Sequence, residues 1–464
     1  MKPQQLAKLG VPRGEARKLA GKAVKAAKQA RLDKQEVPER IRALLVDPEA
    51  FIDDEIFGTL AQYIAEQKAA QALYVPRTEN APFQVWGDID PKSLEQMKHA
   101  SELPVAVRGA IMPDAHLGYG LPIGGVLAVR NAVIPYAVGV DIACRMKMTV
   151  LDMPANVIEG QEGRLINALE QETRFGMGAN FKRPRDHEVM DADWSVTDVT
   201  NRLKDKAWKQ LGTSGSGNHF VEFGTLDVLH DGLDLAQGTY LALLSHSGSR
   251  GAGAAVAGHY SKLAMDLRAE LPKHLKHLSW LDLDTEPGQE YWAAMNLMGE
   301  YAAANHACIH RHVLKALGAK PLLQIENHHN FAWAEEHDDE TVIVHRKGAT
   351  PADDGVLGII PGSMATPAFV VRGRGNEASL NSASHGAGRQ MSRRAAKERF
   401  TWSEAKKFLA QRNVKLLSAG LDEVPMAYKD INEVMAAQTD LVEIMARFKP
   451  RLVKMAPEGE KPED

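Results

Sequence analysis

Four short apolar runs in this chain each carry a histidine at or near one end, and that repeated pairing limits the folds open to it. The runs are HFVEF from His219, YLALLSHS closing near His246, LLQIENHH closing near His329, and TVIVHRKG around His345. Runs of this length, apolar and bounded by polar or glycine-containing turns, read as strands. Longer helical patterns lie between and around them, at 253–271 and 287–318. The expected fold class is therefore α+β (mixed α/β), with central β-sheets flanked by helices. Ligand sites in such folds gather at strand ends, so one catalytic domain can draw on all four motifs.

The rest of the chain sets the boundaries. Residues 1–45 are rich in Ala, Lys and Arg and read as helices broken near Gly10-Val11-Pro12 and Val37-Pro38. A further helix is expected over 47–73 and a linker over 74–92. Residues 103–153 alternate β-rich apolar runs with glycine turns. Helix is expected at 155–172, irregular polar chain at 173–210, and helices at 387–399, 402–412 and 428–447. The expected organisation is a basic helical extension (1–75), a catalytic domain (76–455) and a disordered acidic tail (456–464).

Residues 1–45 hold 12 Lys/Arg against 4 Asp/Glu, a balance of +8 in a chain whose net charge is −4. A basic arm on an acidic body is either a nucleic-acid contact or a solvated helix face. No apolar run approaches the ~20 residues of a membrane helix, and the N-terminus lacks a secretory h-region. Two cysteines in 464 residues fit a reducing compartment. The expectation is a cytoplasmic protein with no membrane partner.

The chemistry is carried by Asp141 and Cys144 in GVDIAC, with His219, His246, His329 and His385 in glycine- or asparagine-rich settings. A carboxylate, a thiolate and several imidazoles are the donors that hold a transition metal. A thiolate can bridge two ions while Asp141 binds one, as in sites that clamp a phosphate. Cys308, within a helical pattern, reads as core, and His306, His310 and His312 read as structural. His385 precedes a glycine turn and an expected helix N-terminus, a place that favours a phosphate, with Arg389 as a donor fork. A histidine there can act as nucleophile at phosphorus. A helix-capping loop is the plainer reading of the same segment. No G-x-x-x-x-G-K-[ST] loop is present, so any nucleotide is held in another way.

Taken together these motifs resemble the RtcB family of RNA-splicing ligases. The resemblance rests on MPDAHLGYGLPIGG (112–125), GVDIAC (139–144), GSGNHFVEF (215–223), SHSGSRG (245–251), HN (329–330), VHRKGATPA (344–352), PGSMAT (361–366), SHGAGR (384–389), DEVPMAYKDI (422–431) and VK (453–454). It covers about residues 85–455 and does not extend to the first ~75. It implies an RtcB-like catalytic domain and a ligase that uses GTP and two Mn²⁺ ions. The implied substrates are RNA ends bearing a 2′,3′-cyclic phosphate or 3′-phosphate and a 5′-hydroxyl, in RNA repair or tRNA splicing. A helper protein for turnover is left open. Asp141, Cys144, His219, His246 and His329 are implied as metal ligands with Cys144 bridging. His385 is implied as the residue that accepts GMP, and Asp114 as its partner. Asn218, Asn330, Lys347 and Arg389 are implied as phosphate contacts. Glu222, Ser363, Tyr428 and Lys454 are implied at the guanosine, with Ser382 a weaker candidate.

The sequence departs from the family at four positions. Ala143 and Arg145 flank the cysteine where Asn and Gly are usual, and Ala365 and Ala368 replace Gly and Ser. Arg145 is expected to add a cation beside the metals and alter the RNA-end pocket. Ala368 is expected to remove a hydrogen bond to guanine. With the basic extension, these suggest a divergent paralogue acting on cleaved RNA. The competing readings are a two-metal phosphodiesterase or RNA 3′-end-capping nucleotidyltransferase, and a non-catalytic RNA-binding paralogue.

Overall fold

In the computed structural model, residues 3–12, 15–72 and 74–461 are described. The chain divides into two units, Met1–Pro76 with Asp266–Lys273, and the remainder. The first unit is helical, with helices Pro3–Lys8, Glu15–Gln29, Glu36–Val46 and Gly58–Ala72. The helix expected over 47–73 is interrupted. Asp54 turns the chain by accepting from the backbone N–H of Ile56 and Phe57, and the helix starts afresh at Gly58. Leu6, Val11, Ile41, Leu44, Phe57 and Leu60 form this unit's own core.

The second unit is built on two sheets. The larger runs, in order, through Leu357–Ile360, Ala368–Gly373, Val442–Met455, Phe220–Val228, Gly238–Ser247, Arg145–Leu151 and Pro321–His328, with Lys415–Ser418 beside Val442–Met455. Side chains alternate between its faces. Val221, Phe223, Leu241 and Leu243 pack under helices Glu162–Glu172 and Glu286–Leu317. Met146, Met148, Leu226, Ala242 and Leu244 form a core on the opposite face. The smaller sheet orders Phe83–Val85, Ala106–His116, Ile123–Val129, Glu340–Lys347 and Asn330–His337. Its Ala110, Met112, Val126 and Val344 share a core with Phe369, Val371 and Val442 of the larger sheet.

This arrangement places the motifs. Four strands of the large sheet are consecutive neighbours, and their polar ends coincide. His219 directly precedes Phe220–Val228, His246 lies near the end of Gly238–Ser247, Cys144 directly precedes Arg145–Leu151, and His329 directly follows Pro321–His328. His329 is also where the chain leaves the large sheet, since Asn330–His337 belongs to the small one.

Several expected elements are corrected. Residues 173–210 are not wholly irregular: Thr197 and Thr200 form a capping box that starts helix Asp198–Gln210. The helix expected over 428–447 is one short helix, Ile431–Ala436, followed by the 14-residue strand Val442–Met455. Pairing on both sides in the large sheet overrides its helix-forming residues there. The linker over 74–92 contains a strand, Phe83–Val85, paired with Ala106–His116. The helix expected from 387 starts only at Arg393, capped by Ser392, so no helix N-terminus follows His385 directly. In the tail, the Ser216 hydroxyl donates to the Lys461 carbonyl, while 462–464 lie outside the described residues. Among the described residues no helix is long and apolar enough to cross a membrane.

Candidate metal and nucleotide site

Backbone bonds lock the ligand loops together before any side chain is considered. Ala143 N–H donates to the Asn330 carbonyl at 2.7 Å, and His329 N–H donates to the Cys144 carbonyl at 3.0 Å. Ala143 adopts φ +56°, the left-handed turn that directs Cys144 inward. The Asn330 side chain donates to the Asp141 carbonyl at 3.2 Å and accepts from Gly348 N–H at 2.8 Å. It thereby braces the loop that carries Asp141 and Cys144.

Five donor side chains converge on this frame. Cys144 Sγ lies 3.1 Å from His246 Nε2 and 3.4 Å from His219 Nε2. His246 Nε2 lies 3.2 Å from His329 Nε2, and Asp141 Oδ2 lies 3.2 Å from His219 Nε2. Two groups result, Asp141/Cys144/His219 and Cys144/His246/His329, and the thiol is common to both. All five residues are buried.

The groups around them set tautomer and charge. His246 Nδ1 contacts the Asn218 carbonyl at 3.1 Å, which fixes the proton there and leaves Nε2 as a lone pair. Burial, reinforced by the nearby His219, pushes the His246 pKa down to about 3, and burial holds His329 well below its usual range. Both are thus neutral, the ligating form. Burial alone would raise the Asp141 pKa, but His219 and Arg250 outweigh it and hold it at about 2. Asp141 Oδ1 accepts from Ser249 N–H at 3.0 Å, and buried Oδ2 faces His219 Nε2 at 3.2 Å. Two neutral imidazoles whose Nε2 atoms face each other at 3.2 Å, beside a thiol and a buried carboxylate, form a donor set that suits cations.

His385 stands beside this cluster, its ring centroid 4.9 Å from that of His329. Asp114 Oδ2 accepts from three donors: His385 Nδ1 at 2.7 Å, His385 N–H at 3.1 Å and Gly386 N–H at 3.2 Å. Asp114 is fully buried, and its pKa is lowered because His385 overcomes the burial that would raise it. Ring and backbone are held by one carboxylate oxygen, and His385 Nε2 is left for chemistry.

These residues border one cleft of about 1150 Å³, lined by Asp141, Cys144, His219, His246, His329 and His385. Asn218, Glu222, Asn330, Lys347, Ser363, Arg389 and Tyr428 also line it. Burial pushes Lys347 down to about 7, and its ammonium donates to the Tyr119 carbonyl. Burial likewise raises Glu222 well above the usual carboxylate range. Arg389 donates to the Asp422 carbonyl at 2.7 Å and to Glu423 at 3.3 Å, and Tyr428 donates to Glu423. Lys454 does not line the cleft. Strand alternation turns Val453 and Met455 inward and sends Lys454 to Glu170 at 2.7 Å. Ser382 is fully buried behind the site, accepting from Arg346 at 2.7 Å.

Arg145 does not line the cleft, although its charge remains within electrostatic reach of Cys144. One residue past Cys144 on a strand, it faces the other way, and its guanidinium donates to the Gly299 carbonyl at 3.1 Å and to Glu326 at 3.4 Å. Cys308 is buried, His306 and His310 bond to the Ser245 hydroxyl, each at 2.8 Å, and none of the three lines the cleft.

Sequence reasoning missed Gly248, Ser249, Arg250 and Lys429. A Cβ on Gly248 would lie 2.1 Å from Asp141 Oδ2, so only glycine fits. Arg250 reaches His219 Nδ1 at 3.4 Å. Lys429 donates to the carbonyls on either side of Asp114, Pro113 at 2.9 Å and Ala115 at 2.8 Å. The signal was present in SHSGSRG and MAYKDI, whose polar residues beyond the implied ligands had no assigned partner.

Residues 96–197 and 185–455 match the family model described as tRNA-splicing ligase RtcB. The chain is 34% identical over 401 residues to the RNA-splicing ligase RtcB of Escherichia coli K12, covering 79% of this chain and 96% of that protein. It is 32% identical over 435 residues to the tRNA-splicing ligase RtcB of Nanoarchaeum equitans, covering 78% and 91%. It is 30% identical over 427 residues to the RNA-splicing ligase RtcB of Mycobacterium bovis, covering 76% and 98%.

Proposed function

The chain belongs to the RtcB family, and on that premise we propose that it is a cytoplasmic RNA ligase using GTP and Mn²⁺. It joins an RNA end bearing a 2′,3′-cyclic phosphate or 3′-phosphate to a 5′-hydroxyl. One observation carries this reading: a shared-thiol pair of metal-competent groups lies against a histidine whose Nδ1 is held by a buried aspartate. A passive RNA-binding fold has no use for an imidazole so prepared, while a phosphodiesterase could use it as a general acid or base, which the ligation test below separates.

Asp141, Cys144 and His219 would hold one ion and Cys144, His246 and His329 the other. Donor softness alone favours zinc, so manganese rests on the family resemblance. When bound, such ions neutralise phosphate charge and activate water. His385 Nε2 attacks the α-phosphorus of GTP; a P–N bond forms and the P–O bond to pyrophosphate breaks. Asp114 keeps the Nδ1 proton in place and stabilises the cationic ring that results. Asn218, Asn330, Lys347 and Arg389 contact phosphates, and Glu222, Ser363 and Tyr428 surround the guanosine. Lys454 joins them only by releasing Glu170. A cyclic phosphate is first opened by water, which forms one P–O bond, breaks the bond to O2′ and leaves a 3′-phosphate. That phosphate then takes GMP from His385, breaking the P–N bond, and the 5′-hydroxyl displaces GMP.

The test is ligation of a 2′,3′-cyclic-phosphate oligonucleotide to a 5′-hydroxyl partner with GTP and Mn²⁺. Joined product dependent on both is expected. A hydrolysed or capped 3′ end without joining would replace the ligase with a phosphodiesterase or end-capping enzyme. Faster joining of broken tRNA or rRNA fragments than of generic oligonucleotides would support a role in RNA repair, and equal rates would remove it.

A further inference from the structure

We propose that helix Glu15–Gln29 of the first unit is a binding site for the phosphate backbone of RNA, separate from the catalytic cleft. The family match begins at residue 96, so it does not reach this helix. The helix carries Arg17, Lys18, Lys22, Lys25 and Lys28 and one acid, Glu15. At about 100° per residue, the five cations fall within an arc of about 140°. The buried Ala16, Ala20, Ala23 and Ala27 occupy about 60° on the opposite side. Alanine packs the inner face closely, and the outer face is left almost entirely to lysine. Lys18, Lys22, Lys25 and Lys28 are all exposed.

A face that merely keeps a helix in water mixes its charges, because opposite charges at i,i+3 and i,i+4 stabilise and like charges destabilise. Here Lys18, Lys22, Lys25 and Lys28 follow one another at those like-charge spacings. Only Lys18 is relieved within the helix, by Glu15 at 3.1 Å. Repulsion along about 15 Å of helix is removed by a polyanion lying across it. RNA is the polyanion that the proposed ligase handles, and the occupant's identity rests on that reading; the polyanion site itself does not. Lysine heads without aromatic neighbours on their own helix face read charge and not base sequence. The site therefore gathers RNA irrespective of sequence.

The test uses the full chain and a labelled 20-nucleotide single-stranded RNA with hydroxyls at both ends, which cannot be joined. Lys22→Gln, Lys25→Gln and Lys28→Gln combined are expected to weaken binding roughly tenfold or more near 0.1 M salt. The slope of log affinity against log salt should become shallower by about 2, at roughly 0.7 per lost single-strand contact. The corresponding triple Arg variant should keep both. Transfer of GMP from labelled GTP to His385 should be unchanged in all. Unaltered affinity and slope in the Gln variant would overturn the proposal, as would equal loss in the Arg variant. Loss of RNA binding in a chain that never accepts GMP would keep the RNA site and remove the ligase reading.

Discussion

At the scale of the residue, the site is a set of lone pairs aimed by their neighbours. Asp114 is the clearest case, since one of its oxygens organises both the ring and the backbone of His385. Asp114→Asn keeps the size but removes the charge and can leave the ring in the wrong tautomer. It is expected to slow GMP transfer to His385 by about a hundredfold or more, measured by single-turnover labelling, with metal content unchanged. Lys347 gives a pH signature. Burial lowers it to about 7, so the folded chain favours the neutral amine. Between about 7 and its unfolded value of 10.5 the unfolded chain holds the extra proton, and stability rises with pH across that window. Below about 7 the cost of the buried charge is fully present. An anionic phosphate beside the ammonium reverses the shift. GTP binding at pH 8 should therefore take up a proton, and affinity should rise as pH falls from 9 to 7. Calorimetry in buffers of different ionisation enthalpy checks this; no buffer dependence would remove Lys347 from the phosphate site.

At the scale of the element, strand alternation decides which neighbours of a ligand take part in chemistry. Cys144 and Arg145 are adjacent in sequence and face opposite sides of the sheet. Arg145→Met leaves the Gly299 carbonyl without its guanidinium partner. It should cost about 1–3 kcal/mol of stability by chemical denaturation while metal content and RNA-end preference stay the same. A change in end preference with stability intact would return Arg145 to the pocket. The same alternation explains what the sequence could not disclose about Lys454: its place in the VK motif was legible, its side of the sheet was not. The strand ends carrying His219, His246 and His329 were legible because apolar runs stop where the histidines begin. The strand Val442–Met455 was not, because its pattern suits a helix as well and only its two partner strands decide the matter.

At the scale of the whole molecule, the two groups of donors meet because the chain crosses between sheets at His329. That crossing brings Asn330 of the small sheet against Asp141 and Ala143, in the loop that leads into the large one. No spacing in the sequence discloses it, since Asn330 lies 189 residues from Asp141. The proposed ligase stands or falls on His385 as the nucleophile and on the five buried donors as its metal site. The most direct measurement is incubation with α-labelled GTP and Mn²⁺, followed by a denaturing gel and peptide mapping. Label is expected on the peptide carrying His385, and it should be lost in His385→Ala while bound metal is retained. Label that persists in His385→Ala, or no label with a full complement of metal, would contradict that assignment.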